Sequence, residues 1–465
     1  MSTTLLIGVA VLAVALLLFL VMKLEWPAYV ALLAVSVVTA AVAGMPIDEI
    51  IPTVISGMGS TLGSVALLVG LGAMLGGVIE KTGGAEVVAA RAAQVLGSER
   101  LGPALMIASG LIAIPIFFDV GFIILVPIIF SFAKAAGHKS PVILGAPVAA
   151  TMVFIHNSVP PHPGVTGSTT LLREDVLGLV TLIGILLSIP IGFAIYFVSN
   201  KITKQSLPLT PEIQEKYERT GAADFSAMAS EQVNESGSTT IRKPAAGLVL
   251  LMILLPIAMI ATGTITKIFA EEGSTVSRVT SFIGAPGLAL LVAVILSMWI
   301  LGRANGWPQK DMADLMDAAL GPAAVVVFVT GAGGVFARIL TDSGIGDAVA
   351  GKLVGAGVPV LFMAFLIALV FKVAQGSGTV ATLAAAGLMQ STVMAGDYSD
   401  FQVALIVLAI GMGSVSLSHI NDSGFWISSR FLGLGVSGGL KTWTVLCTVG
   451  GFLGMAIISV LWLFT

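Results

Sequence analysis

Four small residues interrupt an apolar stretch of the chain at Gly376-Ser-Gly-Thr379, after which apolar sequence resumes at once. In hydrocarbon an interrupted helix leaves backbone N–H and C=O groups without partners, so such breaks persist only against protein or a polar cavity. The N–H groups of Ser377, Gly378 and Thr379 would begin a second half-helix, where the helix dipole favours an anion. The stretch therefore predicts a binding site for a small carboxylate, with the Ser377 and Thr379 hydroxyls beside it.

Asp119 is the acidic residue of another apolar stretch, residues 102–136, and we expect the tip of a hairpin near residues 118–121 of this stretch. An ionised, unpaired carboxylate inside a membrane costs about 3 kcal/mol or more, so we expect it to be functional or paired. The functional interpretation is a carboxyl group that exchanges a coupled proton. The alternative is a structural ion pair, for instance with Lys372. Lys372 could instead extend to the membrane surface or attract the anion.

Three of the four histidines, His156, His162 and His419, lie where a helical pattern is broken. Imidazole titrates near neutral pH and donates hydrogen bonds to carboxylates and hydroxyls. We therefore take His156 as a second candidate for the coupled proton, and His162 and His419 as candidate ligands of the acid. The alternative is a local role in orienting the break.

Polar residues beside these histidines suit the hydroxyl groups of a polyol. Their alternative role is helix capping, which Ser, Asn and Asp perform routinely, and capping is compatible with ligand binding. Together with the residues at 376–379 and the histidines, the candidate substrate ligands are Asn157, Ser158, Gly164, Asn421 and Asp422.

The composition predicts an all-α polytopic membrane protein, since 57% of the 465 residues are hydrophobic, 10% are charged and the mean hydropathy is +1.04. The net charge of −3 gives no indication of a nucleic-acid partner. Cys447 is the only cysteine, which excludes an intrachain disulfide. We find neither a His-Glu-x-x-His motif nor a nucleotide-binding loop, and we expect neither an enzyme nor a metal or other cofactor.

An internal repeat organises the chain. The stretch that begins at Gly72 and ends at Gly83 aligns with the stretch from Gly333 to Gly344. Each half contains five predicted spans and one re-entrant hairpin, and an odd number of spans makes the halves face opposite ways, as in many secondary transporters. The predicted units are a first inverted repeat at 1–199 with a hairpin at 102–136, a linker at 200–243, and a second repeat at 244–465 with a hairpin at 358–396.

The basic residues of the short loops predict the orientation of the chain. Both termini are expected outside, and the 200–243 linker is expected in the cytoplasm as a solvated, partly disordered segment. Tryptophans near the predicted span ends are expected to anchor at the membrane surface. They are Trp26, Trp299, Trp307 and Trp443.

Four motifs resemble the gluconate permease family of proton symporters, within the wider ion-transporter superfamily, and the resemblance covers the chain from about Trp26 onwards, apart from the linker. They are Phe117-Phe-Asp-Val-Gly-Phe122, His156-Asn-Ser-Val-Pro-Pro-His-Pro-Gly164, Gln375-Gly-Ser-Gly-Thr-Val380 and Ser418-His-Ile-Asn-Asp-Ser-Gly-Phe-Trp426.

The resemblance implies uptake of gluconate or a related sugar acid or hydroxy acid across a bacterial inner membrane, coupled to protons. It also implies a homodimer in which a transport domain moves against a scaffold, an elevator-type movement. Sodium coupling is the main alternative, because unwound carbonyls and nearby hydroxyls can hold sodium. An organic-anion channel with similar helix breaks is the other alternative.

Overall fold

The computed structural model describes residues 1–24, 26–97, 100–203, 207–220, 243–270, 274–303, 306–345, 348, 359–420 and 422–465. Over these residues the secondary structure is helical, apart from one isolated bridge between Leu209 and Leu434. Six helices in this part of the chain are long and apolar enough to cross a membrane, or seven if one bent pair is a single span. The prediction of an all-α polytopic membrane protein is thus confirmed.

The first half of the chain places two short helices before a helix of 35 residues, which is followed by a hairpin, a broken helix and a closing helix. The helices are α1 (Thr3–Met22), α2 (Ala28–Val42), α3 (Ile47–Lys81), α4 (Gly84–Leu96), α5 (Leu101–Ala113), α6 (Phe118–Ala135), α7 (Val142–Ser158), α8 (Pro163–Arg173) and α9 (Leu177–Thr203), with a 3-10 turn at Glu174–Val176 before α9.

The second half repeats this order around a helix of 34 residues. After the linker helix α10 (Pro211–Arg219) come α11 (Ala246–Phe269), α12 (Thr275–Ile283), α13 (Pro286–Ser297), α14 (Gln309–Asp342), α15 (Val360–Gln375), α16 (Gly378–Ala395), α17 (Asp400–Val415), α18 (Ser423–Phe431) and α19 (Val436–Trp462). A π-helical turn follows α13 at Met298–Gly302, and another lies inside α19 at Leu440–Thr444. Cys447 is fully buried in α19.

The two long helices α3 and α14 pack along each other and carry the glycines of the predicted repeat. A methyl group on Gly76 would lie 2.3 Å from the carbonyl oxygen of Pro115, and one on Gly72 would lie 2.7 Å from the Pro161 ring. In the second half, a methyl group on Gly333 would lie 3.0 Å from Leu383 Cβ. These glycines therefore let the hairpins and the broken helix approach the long helices closely.

Part of the 200–243 linker is folded, which differs from the expected solvated segment. Helix α10 buries Tyr217, which is 2% exposed and donates a hydrogen bond to the His138 carbonyl oxygen at 2.7 Å. Its ring packs against Phe130, and Lys134 Nζ lies 4.6 Å from its centroid. The Thr210 N–H donates to the Gly433 carbonyl at 2.8 Å. The linker helix thus connects the first hairpin with the corner after α18.

We expect Tyr217→Ala to release α10 from this contact. Burial raises the pKa of Tyr217 to about 12, so the phenol remains a hydrogen-bond donor at physiological pH. Removing a buried aromatic ring costs about 3 kcal/mol, and limited proteolysis should therefore cut the 207–220 segment much faster. Lys216→Ala, on the exposed side of α10, should leave the cleavage rate unchanged. Equal cleavage of both variants would contradict a docking role for Tyr217.

Candidate functional site

The second hairpin is broken where the sequence predicted. Helix α15 ends at Gln375, Gly376 adopts a positive φ of +85°, and Ser377 is the N-cap of α16. The Ser377 hydroxyl accepts a hydrogen bond from the Val380 N–H at 3.3 Å, and the first intrahelical bond runs from the Ala381 N–H to the Ser377 carbonyl. The N–H groups of Gly378 and Thr379 precede that bond and have no backbone acceptor among the described residues. We call residues 376–379 the second tip.

The second tip packs against the beginning of α8 from the first half. A methyl group on Gly164 would lie 3.4 Å from Thr379 Cα and 2.8 Å from the Thr382 hydroxyl. A methyl group on Gly378 would lie 3.1 Å from Asn157 Oδ1, at the end of α7. The N-termini of α8 and α16 therefore meet, and neither has an acidic residue in its first turn.

The first hairpin is broken at residues 114–117, which we call the first tip, slightly earlier than the predicted break near 118–121. Pro115 explains the position, because it has no N–H group with which to continue the helical hydrogen bonds of α5. Asp119 consequently lies in the first turn of α6. Its side chain is exposed, and it has no ion-pair partner among the described residues.

Lys372 pairs with Asp422, and the suggested structural ion pair between Lys372 and Asp119 is wrong. Lys372 Nζ lies 2.6 Å from Asp422 Oδ2, and both residues are buried, at 3% and 7% exposure. Asp422 is also the N-cap of α18, where its Oδ1 accepts the Gly424 N–H at 3.0 Å. The Ser418 hydroxyl donates to the same carboxylate. Because Lys372 is buried, it also does not extend to a surface.

Trp443 belongs to this polar network and is not a surface anchor, although its position near a span end suggested that role. It is 2% exposed, and its Nε1–H donates to the Ser418 hydroxyl at 2.6 Å. Its ring packs against Phe118, next to Asp119, with centroids 5.4 Å apart. No sequence pattern indicates this contact, because the π-helical turn at Leu440–Thr444 changes the phase of the helix at Trp443.

The two histidines of the first half lie side by side. His156 Nε2 donates to the Ile116 carbonyl in the first tip at 2.7 Å, and the His156 and His162 rings are 4.7 Å apart. Both residues line a cavity of about 20 Å³, and neither Nδ1 atom has a partner among the described residues. In the second half, the partly buried His419 accepts the Asp422 N–H with its backbone carbonyl.

The side chains of the first half that we predicted to bind substrate hydroxyls are hydrogen-bonded within the protein. Asn157 Oδ1 accepts from the Ser414 hydroxyl at 2.9 Å, and its Nδ2 donates to the Val153 carbonyl at 2.8 Å. The Ser158 hydroxyl donates to the Phe154 carbonyl at 2.6 Å. Asn421 lies outside the described residues. Contact of these side chains with a substrate stays a prediction.

Charge distinguishes the helix N-termini that surround the site. Helix α6 has Asp119 in its first turn and α18 is capped by Asp422, so a carboxylate already occupies the positive end of each helix dipole. The two carboxylates lie within electrostatic range of each other. The paired N-termini of α8 and α16 have no such residue. The N-termini of α8 and α16 therefore keep the positive ends of their dipoles without a carboxylate of their own.

Interrupted apolar helices whose ends meet at polar residues are the arrangement of a membrane transporter. The comparisons with known proteins agree with this class. Residues 4–464 match the family profile described as GntP family permease, and the chain belongs to that family. The chain is 43% identical to the "Inner membrane permease YgbN" of Escherichia coli K12, with 99% of each chain covered.

A second relative and a solved structure extend the comparison. The "Low-affinity gluconate transporter" of Escherichia coli K12 is 36% identical, with 99% of this chain and all of that protein covered. The crystal structure of the Alcanivorax borkumensis YdaH transporter, described as having an unusual topology, superposes with a TM-score of 0.61 at 14% identity. It covers 94% of this chain and 97% of the other, which shows a shared fold.

Proposed function

We propose that the protein imports gluconate, or a related small sugar acid or hydroxy acid, by symport with protons. Membership of a permease family and similarity to a protein named as a gluconate transporter support the substrate class. The observation that carries the proposal is the meeting of two helix N-termini, those of α8 and α16, without an acidic residue of their own. The substrate carboxylate binds there, with its hydroxyls towards Asn157 and Asn421.

Proton coupling is assigned to Asp119, with His156 as the second candidate. Gluconate carries one negative charge, so a proton on Asp119 makes the loaded site less charged before it crosses an apolar barrier. The Asp119 side chain is not enclosed by the protein, which supports exchange of that proton with the surroundings. Sodium instead of the proton is the alternative coupling ion, and its oxygen ligands would come from the hydroxyls and carbonyls of the second tip.

The two halves act as inverted repeats in this proposal. The recurring order of hairpin, broken helix and closing helix supports it, as does the exchange of contacts between halves, because α16 packs on α8 and α6 packs on α18. The hairpins and broken helices form a transport domain that moves in an elevator-type step, within a homodimer in the inner membrane. Both termini lie outside and the linker is cytoplasmic.

Uptake of radiolabelled gluconate into proteoliposomes tests this function. An imposed inward proton gradient should drive accumulation above the external concentration, and an imposed sodium gradient without a proton gradient should not. Accumulation driven by the sodium gradient alone would show that sodium, and not the proton, is the coupling ion. Equilibration without accumulation under either gradient would identify a channel and overturn the proposal.

The anion site is tested by Ser377→Asp. Aspartate is as good an N-cap as serine and is favoured by the helix dipole, so the variant should fold normally. A second negative charge beside the substrate carboxylate costs about 3 kcal/mol, so gluconate affinity should fall roughly 100-fold. Calorimetric titration of the purified protein measures this change. Ser377→Asn, a neutral cap of similar size, should bind within a few-fold of the wild type, and equal affinities for both variants would place the carboxylate elsewhere.

A further inference from the structure

The end of α15 carries a buried lysine that binds the backbone of its own tip. Lys372 lies in the last turn of α15, and its Nζ donates a hydrogen bond to the Gly376 carbonyl oxygen at 2.6 Å. The same Nζ contacts Asp422 Oδ2 at 2.6 Å. A buried lysine needs such partners, because an unpaired ammonium in an apolar interior is strongly unfavourable.

This hydrogen bond opposes an electrostatic repulsion between the end of α15 and an anion at the second tip. Only Gly376 and Ser377 separate the C-terminus of α15 from the N-terminus of α16. The last carbonyls of α15 form the negative end of its dipole, and they repel an anion held at the N–H groups two residues further on. The Lys372 ammonium, bound to the Gly376 carbonyl oxygen, locally opposes that repulsion and ties the positive-φ residue Gly376 to the end of α15.

The first half has a matching contact built from different residues. His156 Nε2 lies 2.7 Å from the Ile116 carbonyl, and since a carbonyl only accepts, this nitrogen carries the hydrogen. In each hairpin, a carbonyl of the tip is therefore bound by a buried basic side chain. The donor comes from the hairpin arm α15 in the second half and from the broken helix α7 in the first.

We propose that Lys372 is a positioning residue that prepares the second tip for an anion, with Asp422 as its counter-ion. This inference rests on the proposed function for the identity of the anion. Lys372 acts through the backbone of Gly376 and not by contact with the substrate. Asp422 neutralises the lysine in the empty protein, so the buried pair adds no net charge to the site.

The double variant Lys372→Met/Asp422→Asn tests this role without leaving a buried charge unpaired. Its melting temperature should stay near that of the wild type, because a pair replaced by neutral groups of similar size is tolerated. Hydrogen–deuterium exchange of the hydrogen-bonded amides of Gly376, Val380 and Ala381 in the substrate-free protein should rise at least about tenfold, and the gluconate Kd should rise about tenfold. Asp422→Asn alone leaves the Lys372 ammonium buried without its counter-ion, so this single variant should melt at a lower temperature than the double variant.

Lys134→Met is the matched control, since it removes the lysine at the far end of the other hairpin, beside Tyr217. It should leave tip exchange and gluconate affinity unchanged. Unchanged exchange in the double variant would overturn the positioning role. Raised exchange with unchanged affinity would show that Lys372 orders the tip but does not prepare it for an anion. If the wild type bound no gluconate, the proposed function would fail, whereas the exchange data would still decide whether Lys372 orders the tip.

Discussion

Asp119→Asn is expected to abolish accumulation of gluconate in proteoliposomes while substrate binding and exchange persist. A gradient of one pH unit supplies about 1.4 kcal/mol per proton, enough for roughly tenfold accumulation, and a variant without the coupling carboxyl loses that factor. Asparagine has nearly the same shape and can still lie at the beginning of α6, so the fold and the anion site should be retained. Uptake under an imposed pH gradient measures coupling, and counterflow of labelled against unlabelled gluconate measures exchange.

Asp119→Glu is the control for this experiment, because it keeps a titratable carboxyl at the same place. It should restore part of the accumulation that Asp119→Asn loses. If Asp119→Asn still concentrates gluconate at the wild-type ratio, the coupled proton resides on another group, and His156→Gln becomes the next variant to measure. Loss of both accumulation and counterflow in Asp119→Asn would indicate a role in binding instead of coupling.

Gly411→Ala is expected to destabilise the protein strongly, although alanine normally favours a helix. The glycine lies where α17 crosses α7, and a methyl group there would lie 2.1 Å from the backbone oxygen of Asn157. A backbone atom cannot rotate away, so the helices must separate, at a cost of about 3 kcal/mol or more. The displacement also moves Asn157 away from the second tip. Thermal unfolding followed by size-exclusion chromatography in detergent measures the loss.

Gly192→Ala provides the matched control, because this glycine lies inside α9 and a methyl group on it would meet nothing within 4 Å. Here the substitution should be neutral or stabilising by up to about 1 kcal/mol. A similar melting temperature for both variants would show that the crossing at Gly411 tolerates a methyl group.

The sequence located both helix breaks because glycine, proline and capping residues act locally. Gly376 and Ser377 end one helix and begin the next through their own backbone and side-chain preferences. Pro115 acts in the same way in the first hairpin, where the observed break lies a few residues before the predicted one. The class, a polytopic α-helical membrane protein, could be predicted from composition alone, since apolar runs of this length typically form transmembrane helices.

Contacts between distant segments could not be predicted in this way. Lys372 pairs with Asp422, 50 residues further along the chain. The packing of α15 against α17, which precedes Asp422, brings the two residues together. Trp443 turns inward because of a π-helical turn, which has no periodic signature in the sequence. Helix α10 is short and mostly charged, so its docking depends on the buried ring of Tyr217 and the partly buried Ile213.

The burial of Cys447 makes the chain convenient for spectroscopic work. The thiol is the only one in the sequence, and its complete burial in α19 keeps it from maleimide and nitroxide reagents in the folded protein. A cysteine introduced at an exposed position would therefore react alone, without prior removal of the native one. Pairs of such labels on a hairpin and on a long helix would report the distance between them during a transport cycle.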